Sequence, residues 1–480
     1  MSTLTSLARA LAADSQMAQR ACAVRHVHIA DRPLVVIPLT LAGEANAPLA
    51  AMIGDNPDTP ALLFAPEPRD RDERFAFAAE LADTFLSYLN STGAPQLLVP
   101  NSGGVAFIRL LGRSTRFRRT DGPYAVAETV PILGRWLTFF AERAEVPSSS
   151  LTLAVTNALS VHWATGQSPT EDLNLAALLG WIDPPPGLTG AQAAAAAEDP
   201  VRCPPAGPAT DPTFDNEVLE QRIAAVRTGR LTGDVAAARR ASAALAAALE
   251  SQLRPTWTLM WRAVELLRAL RPGAHVTGRW AIDQEAFARY ATYLSEDGRP
   301  QPRRDSAVSA ARRLASLEKI QSEYAAQRAF DDPLVMAEYR ITGDAFAGTV
   351  AAAEPDRVDD TGRRRVLRPR ITVHTGDPFS LERSVSLTSP ARPRQEARVV
   401  TFEPGDPTRV VLELKGGMGR SLTAEPGSVP EPGEWVCYAT FNDGFQRPPE
   451  FPPPEETPWT HGGPPLPYVP ADEDATEDWS

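Results

Sequence analysis

The sequence predicts an α+β multidomain protein with an N-terminal mixed α/β region, a central helical region, a small C-terminal antiparallel β-barrel and a disordered, acidic, proline-rich tail. Strand-like and helix-like segments alternate over about the first 129 residues. Apolar residues then recur at helical spacing to about residue 347, and the period changes to two after Gly348. A length of 480 residues with 43% hydrophobic residues allows about three domains with cores of their own.

Each N-terminal segment has its own pattern. Alternation in the first arm and β-branched residues in the second predict a hairpin over Val24–Leu41, and Ala61–Pro66 is predicted to be another short strand. Arg71–Leu89 has apolar side chains near helical spacing, and so has the short stretch Leu4–Leu11, which predicts two helices. Gly103–Gly112 fits a helix or a strand equally well, so its class stays open.

The central region is predicted to be helical, and the region after it to form strands. Pro255–Leu270 is the clearest helix, with Pro255 suited to its first turn and the Trp257 and Trp261 rings on one apolar stripe. After Gly348, five or six short apolar runs alternate with turn residues, a pattern typical of a small antiparallel barrel.

Proline-rich segments suggest the domain boundaries. Asp183–Pro212 holds eight prolines, which predicts a long extended connection. Phe451–Ser480 holds eight prolines and seven acidic residues without Lys or Arg, which predicts disorder. The predicted parts are a mixed α/β domain at 1–129, its helical extension at 130–182, a linker at 183–212, a helical domain at 213–347, a barrel at 348–446 and a tail at 447–480.

Composition excludes several classes of protein. The net charge of −12 argues against a generally basic nucleic-acid coat protein. Cys22, Cys203 and Cys437 lie too far apart in sequence for a local disulfide framework or a Cys-x-x-Cys metal site. Isolated cysteines, the lack of a signal-peptide pattern and the lack of a long apolar run predict a cytoplasmic protein that does not span a membrane.

The stretch RVVTFEPGDPTRVVLELKGGMGR admits two interpretations. Asp406, Glu413 and Lys415 have about the spacing of a nuclease hairpin, in which two carboxylates hold Mg²⁺ and a lysine helps to activate water. The flanking residues do not predict the helices of such a nuclease, and Gly-Asp is ordinary hairpin-turn chemistry. The alternative is therefore the wall of the barrel, with Glu413 and Lys415 on its solvated face.

Other catalytic signals are weak. His26 and His28 share a face of the predicted hairpin, but no third metal ligand is evident nearby. The sequence contains neither a phosphate-binding loop of the G-x-x-x-x-G-K-[ST] type nor a G-x-S-x-G or H-E-x-x-H motif. We therefore predict no cofactor, no resident metal and no self-contained catalytic motif.

The most distinctive cluster lies between Ile108 and Tyr124. Dense arginines beside an aromatic ring can hold phosphates and stack on a base. Two further basic sets could share a surface with it, and the alternative is a set of solvated arginines paired with local carboxylates. The predicted nucleic-acid-binding residues are Arg109, Arg113, Arg116, Phe117, Arg118, Arg119, Arg312, Arg313, Arg364 and Arg365.

The C-terminal region resembles the small accessory β-barrel of superfamily 1 helicases of the RNA-surveillance type. The resemblance covers about Gly348 to Asp443 and is carried by GTVAAAEP, RITVHTGDPFSLERSVSLTSP, RVVTFEPGDPTRVVLELKGG and PEPGEWVCYATFND. It implies a barrel that works beside a helicase, since the motor with its ATP-binding loop is missing from this chain.

Three functional hypotheses follow. The first is a nucleic-acid-associated adaptor or helicase partner without an ATPase motif, whose acidic tail contacts the partner motor or another protein. The second is a Mg²⁺-dependent nuclease that uses Asp406, Glu413 and Lys415. The third is a protein-binding scaffold that makes no contact with nucleic acid.

Overall fold

The computed structural model describes residues 3–305, 307–378, 385–403 and 406–442. These residues form two compact units. Thr5–Glu318 form the N-terminal unit, and 319–442 together with residues 3 and 4 form the barrel unit. The predicted α+β class with a closed C-terminal barrel is confirmed. The predicted disordered tail at 447–480 lies outside the described residues.

The N-terminal unit combines a central sheet with helices on both sides. Its strands are β1 (Gln19–Arg20), β2 (Leu34–Leu41), β3 (Glu44–Gly54), β4 (Ala61–Phe64), β5 (Leu97–Val99), β6 (Thr152–Ala154) and β7 (Trp163–Ala164). Its helices are α1 (Thr3–Ser15), α2 (Arg71–Ser91), α3 (Ser102–Thr115), α4 (Thr129–Arg143), α5 (Val155–His162), α6 (Leu175–Ile182), α7 (Gly190–Ala196), α8 (Pro212–Phe214), α9 (Glu220–Leu231), α10 (Val235–Arg268), α11 (Val276–Ser295) and the first part of α12 (Ala307–Asp331).

The sheet has the order β4-β3-β2-β5-β6, in which β2, β5 and β6 run parallel and β3 and β4 complete an antiparallel meander. Every residue of β2 is buried, as expected for a strand covered on both faces. Val35, Ile37 and Leu39 belong to the core shared with α10, whereas Leu34 and Val36 belong to the core shared with α2, α3 and α4. The sheet is therefore the middle of three layers.

The predicted hairpin over Val24–Leu41 is wrong in its first half, because only Leu34–Leu41 forms a strand, which pairs with β3. The backbone N–H groups of the preceding residues are bound by side chains instead of by a strand ladder. His26 N donates to His162 Nε2, His28 N to Ser150 Oγ and Ala30 N to Gln96 Oε1, each at 2.9 Å. Since these acceptors come from distant residues, the local pattern could not reveal them.

Two other segments also differ from the prediction. Pro255 lies inside the 34-residue helix α10 and not in its first turn, because the alanine-rich residues before it are strong helix formers. The segment predicted as an extended linker contains α7, which starts with a capping box between Thr189 and Gln192.

Gly103–Gly112, whose class was left open, is part of α3, and Asn101 caps that helix by accepting from Gly104 N.

The barrel unit begins with the end of α12 and with α13 (Pro333–Thr342). Its strands are β8 (Ala345–Glu354), β9 (Val358–Asp359), β10 (Val366–Leu367), β11 (Arg370–His374), β12 (Ser386–Ser389), β13 (Arg392–Glu403), β14 (Asp406–Lys415) and β15 (Trp435–Ala439). Six of them close a barrel in the order β11-β14-β13-β12-β15-β8. Val410, Leu412 and Leu414 fill its interior, so the predicted period of two is confirmed.

None of the helices among the described residues combines the length and hydropathy needed to cross a membrane.

Helices α3 and α4 approach each other closely at two glycines. A β-carbon on Gly134 would lie 2.6 Å from Arg116 Cα and equally far from Thr115 Oγ1. A β-carbon on Gly112 would lie 2.9 Å from the backbone nitrogen of Thr138. This crossing fixes the end of α3 and the loop that follows it.

We predict that Gly134→Ala lowers the free energy of unfolding by about 2 kcal/mol, since the added methyl group has to push the backbone of Arg116 away. Gly278→Ala in α11 is the matched control, because a β-carbon there meets nothing within 4 Å. The control should raise the stability by about 0.5 kcal/mol. Denaturant unfolding of the full chain measures both changes. Equal stability of the two variants would show that α3 and α4 do not pack this closely at Gly134.

The half-buried ring of His28 stacks on Trp280 of α11 with the ring centroids 4.1 Å apart. Burial lowers the pKa of His28 to about 4, Arg25 lowers it further and Asp31 opposes the shift. The unfolded chain therefore binds this proton at a higher pH than the folded chain does. The contribution of His28 to stability is complete above its ordinary pKa of 6.5 and is lost as the pH falls towards 4.

We predict that wild type loses stability relative to His28→Phe, by on the order of 1 kcal/mol after solvent screening, between pH 7 and pH 4.5. Phenylalanine keeps a flat ring against Trp280 but cannot take up a proton. Urea unfolding of both proteins at the two pH values measures the difference. The same pH dependence in both proteins would show that His28 does not titrate in this way.

Candidate functional site

A cleft of about 730 Å³ opens in the N-terminal unit between α2, the second half of α3 and the loop that follows α3. We call it the arginine cleft and define it by Arg71, Arg74, Phe75, Phe117, Arg118, Arg119 and Tyr124, which all line it. Its volume lies in the range of small-molecule sites.

Helix α2 contributes one wall through its first turns. Asp70 caps the helix by accepting from the backbone N–H groups of Asp72 and Glu73 at 2.9 and 3.0 Å, so the helix begins at Arg71. Arg71, Arg74 and Phe75 follow at positions i, i+3 and i+4 and therefore share one helix face. That face is turned towards the end of α3.

The loop after α3 contributes the opposite wall, and Arg116 fixes its start. Arg116 is only 5% exposed, and its guanidinium donates to the carbonyl oxygens of Gln301 and Pro302 at 3.2 Å each. Burial lowers the pKa of Arg116, and the nearby cations Arg113 and Arg303 contribute to the decrease. Arg116 therefore has a structural role, and it places Phe117 in the wall of the cleft.

The same loop turns back on itself before α4. Val126 N donates to Arg119 O at 3.0 Å, and Ala125 N donates to Gly122 O at 3.2 Å. Gly122 has a φ of 82°, a left-handed conformation that glycine adopts without strain. This turn brings Tyr124 to the mouth of the cleft, where its side chain is 74% exposed.

Cations and aromatic rings alternate along the mouth in the order Tyr124, Arg71, Phe75, Arg118. The Cζ atom of Arg71 lies 5.5 Å from the ring centroid of Tyr124 and 4.9 Å from that of Phe75. Arg118 Cζ lies 4.9 Å from the Phe75 centroid. Cation–π attraction holds both guanidinium groups near a shared ring. Arg71 Nη2 also donates to Tyr124 O at 2.6 Å, which ties the loop to α2.

The cleft carries a positive charge. Four of its lining residues carry a guanidinium group and one, Asp121, carries a carboxylate, so the formal balance of the lining is 4 − 1, or +3. Asp72, outside the lining, pairs with Arg71. Hydrogen bonding to Arg119 lowers the pKa of Asp121, which keeps that carboxylate ionised. Arg74 forms no ion pair within the described part of the chain, and its buried Nε has no hydrogen-bond partner there.

The floor of the cleft is apolar. Phe107, Leu111 and Phe117 are buried there, and Ala78 and Pro48 complete the surface. A positive rim above an apolar floor can bind a ligand with an anionic part and a flat, weakly polar part.

The structure separates the residues of the predicted arginine cluster. It places Phe117, Arg118 and Arg119 in the cleft, whereas Arg109 pairs with Glu145 at 2.8 Å and Arg116 binds backbone carbonyls. Arg113 is exposed on α3 and does not line the cleft.

Neither of the other two predicted basic sets lines the cleft. On α12, Arg313 pairs with Asp305 at 3.0 Å and Arg312 is exposed. Arg364 and Arg365 are exposed in the barrel unit between β9 and β10.

Sequence reasoning missed Arg71 and Arg74 as site residues and counted Phe75 only as part of a buried stripe. The available signal was the position of both arginines on the helix face that also carries Phe75. The sequence of α2 does not show which other element this helix face contacts.

The structure does not bring the three predicted nuclease residues together. Asp406 opens β14 and Glu413 lies seven residues further along the same strand, which is about 23 Å at the usual rise per residue. Glu413 pairs with Arg357 at 2.9 Å and with Arg370 at 3.5 Å, and Lys415 pairs with Glu396 at 3.5 Å. Two carboxylates so far apart on one strand do not bind one Mg²⁺ ion.

His26 and His28 also differ from the expected arrangement, because both lie in the irregular segment before β2 and not on a strand. The ring of His26 stacks on that of His162 with centroids 5.9 Å apart, and His28 stacks on Trp280.

No family model matches the chain, and neither a curated protein nor a solved structure matches it. The function therefore has to be argued from the site.

Proposed function

We propose that the protein is a nucleic-acid-associated adaptor whose N-terminal unit binds single-stranded nucleic acid in the arginine cleft. The observation that carries the proposal is the alternating series Tyr124, Arg71, Phe75 and Arg118 at the mouth of a positively charged cleft. Sites for single strands combine a cationic groove for phosphates with aromatic faces for bases.

The chemistry of each group supports this ligand. Guanidinium groups bind phosphate oxygens through their N–H edges while their faces stack on rings, so Arg71 and Arg118 can serve both purposes. Tyr124 offers an exposed ring to a base at the mouth. Arg74 brings a cation that no carboxylate neutralises within the described residues.

The apolar floor favours an unpaired base over a simple inorganic anion. Phe107, Leu111 and Phe117 offer nothing to a sulfate or phosphate ion, but they can contact the face of a flat base. In a duplex both faces of each base are covered by stacking, so a double strand could reach only the arginines at the rim.

The wider adaptor role rests on the other features of the chain. The helicase-associated role rests on the resemblance of the Gly348–Asp443 sequence to accessory barrels, and the acidic composition of Phe451–Ser480 suits contact with a partner protein. A cytoplasmic location is part of the same proposal, supported by three isolated cysteines.

We predict salt-dependent binding of a fluorescent single-stranded oligonucleotide, with a slope of log K against log salt of about −3 for four phosphate contacts. Tyr124→Ala should weaken binding about tenfold because a stacking face is lost. Arg74→Gln should weaken binding and make the slope shallower by about 0.7. Fluorescence anisotropy at several salt concentrations measures all three effects.

The matched control is Arg240→Gln, which removes a charge from an exposed arginine of α10 that does not line the cleft. It should bind like wild type. Absence of binding at low salt, a salt-independent affinity, or an equal loss in the control and the cleft variants would each contradict the proposed function.

A further inference from the structure

The cleft is small compared with any strand of several nucleotides, so a longer strand has to leave it over one of its edges. Two sides of the cleft differ in the cations that they offer. The start of α2 carries Glu67, Asp70, Asp72 and Glu73 with Arg69 and Arg71 between them. These charges are paired locally, because Glu67 and Glu73 bind Arg227 and Arg230, Arg69 binds Glu44 and Arg71 binds Asp72, so this side offers few unpaired cations to a phosphate backbone.

The side of the cleft that Phe117 lines is bordered by arginines. The buried ring of Phe117 lines the cleft, and Arg303 approaches the same ring with its Cζ 5.2 Å from the centroid. Arg116 Cζ lies 4.7 Å from that centroid. The Phe117 ring thus lies between the cleft and the exposed Arg303, which comes almost 190 residues later in the sequence.

The segment that carries Arg303 is held in place. Gln301 Nε2 donates to Arg135 O at 3.1 Å and to Tyr290 Oη at 2.5 Å. The carbonyl oxygens of Gln301 and Pro302 accept from Arg116. Arg303 therefore has a defined position beside Phe117.

The arginines around this edge are not equally available. Arg109 and Arg313 are paired with Glu145 and Asp305, respectively. Arg113 is exposed and forms no ion pair with any residue the structure describes, and Arg303 is exposed as well. Arg113 lies in the last turn of α3, which Arg116 ends, and Arg303 follows Pro302, whose carbonyl oxygen accepts from Arg116, so both arginines border the region around Arg116.

We infer that a strand longer than the cleft leaves it across Phe117 and places its next phosphates against Arg303 and Arg113. This inference rests on the proposed function, because it needs a base or end of the strand in the arginine cleft. The binding site for a long strand then has two parts. Bases stack in the arginine cleft, and phosphates bind beyond Phe117. A short ligand reaches only the cleft.

The test compares two ligands and two double variants. A trinucleotide and a twelve-nucleotide oligothymidylate are titrated against the full chain, the trinucleotide by competition with the labelled longer strand. Arg113→Gln with Arg303→Gln removes the phosphate-binding part. Arg239→Gln with Arg240→Gln removes the same charge from two exposed arginines of α10 and serves as the control.

The expected result is a loss of about tenfold in affinity for the twelve-mer with the Arg113/Arg303 variant, and a salt slope shallower by about 1.4 for two lost contacts. The affinity for the trinucleotide should stay within about twofold of wild type, and the control should change neither ligand. Arg303→Lys, which keeps the charge, should bind the twelve-mer nearly like wild type.

The inference is overturned if the Arg113/Arg303 variant binds the twelve-mer like wild type while Tyr124→Ala still weakens both ligands, since the strand then uses the cleft but leaves it elsewhere. It is also overturned if the variant weakens both ligands equally. If wild type binds neither ligand, or Tyr124→Ala affects neither, the proposed function fails first and the inference falls with it.

Discussion

The close approach of α3 and α4 at Gly134 is the constraint on which the arginine cleft depends. Because no side chain separates the helices there, the end of α3 lies directly on α4, and Arg116 begins the loop at a fixed point. The carbonyl groups of Gln301 and Pro302 then bind the buried guanidinium of Arg116. Phe117 follows as the next residue, so one helix crossing determines where the aromatic wall of the cleft stands.

The cleft also shows how one small region keeps several cations together. Arg71 and Arg118 repel each other, but the face of Phe75 lies near both and offsets part of that repulsion. Among the lining residues only one carboxylate accompanies four guanidinium groups, so the lining is positive in a chain whose net charge is −12. An acidic protein can therefore contain a local binding site for an anion, and its net charge does not reveal that site.

The sequence predicted the barrel and the arginine-rich loop but only half of the cleft. Alternation in β14 follows from a period of two, which is a local property and can be recognised without a structure. The hydrogen bond from Arg71 to Tyr124 O depends on how α2 packs against a loop about fifty residues later in the sequence. No local sequence pattern predicts that contact. The irregular segment around His28 was missed for the same reason, since distant side chains satisfy its backbone.

Photo-crosslinking shows whether the base of a single strand lies against the rings of the arginine cleft. A twelve-nucleotide strand that carries a photoreactive thymine at its end is irradiated with the full chain, and the attached peptides are mapped by mass spectrometry. We expect attachment at Tyr124, Phe75 or Phe117, and loss of the Tyr124 adduct in Tyr124→Ala. Attachment confined to peptides outside the cleft would contradict this placement of the base.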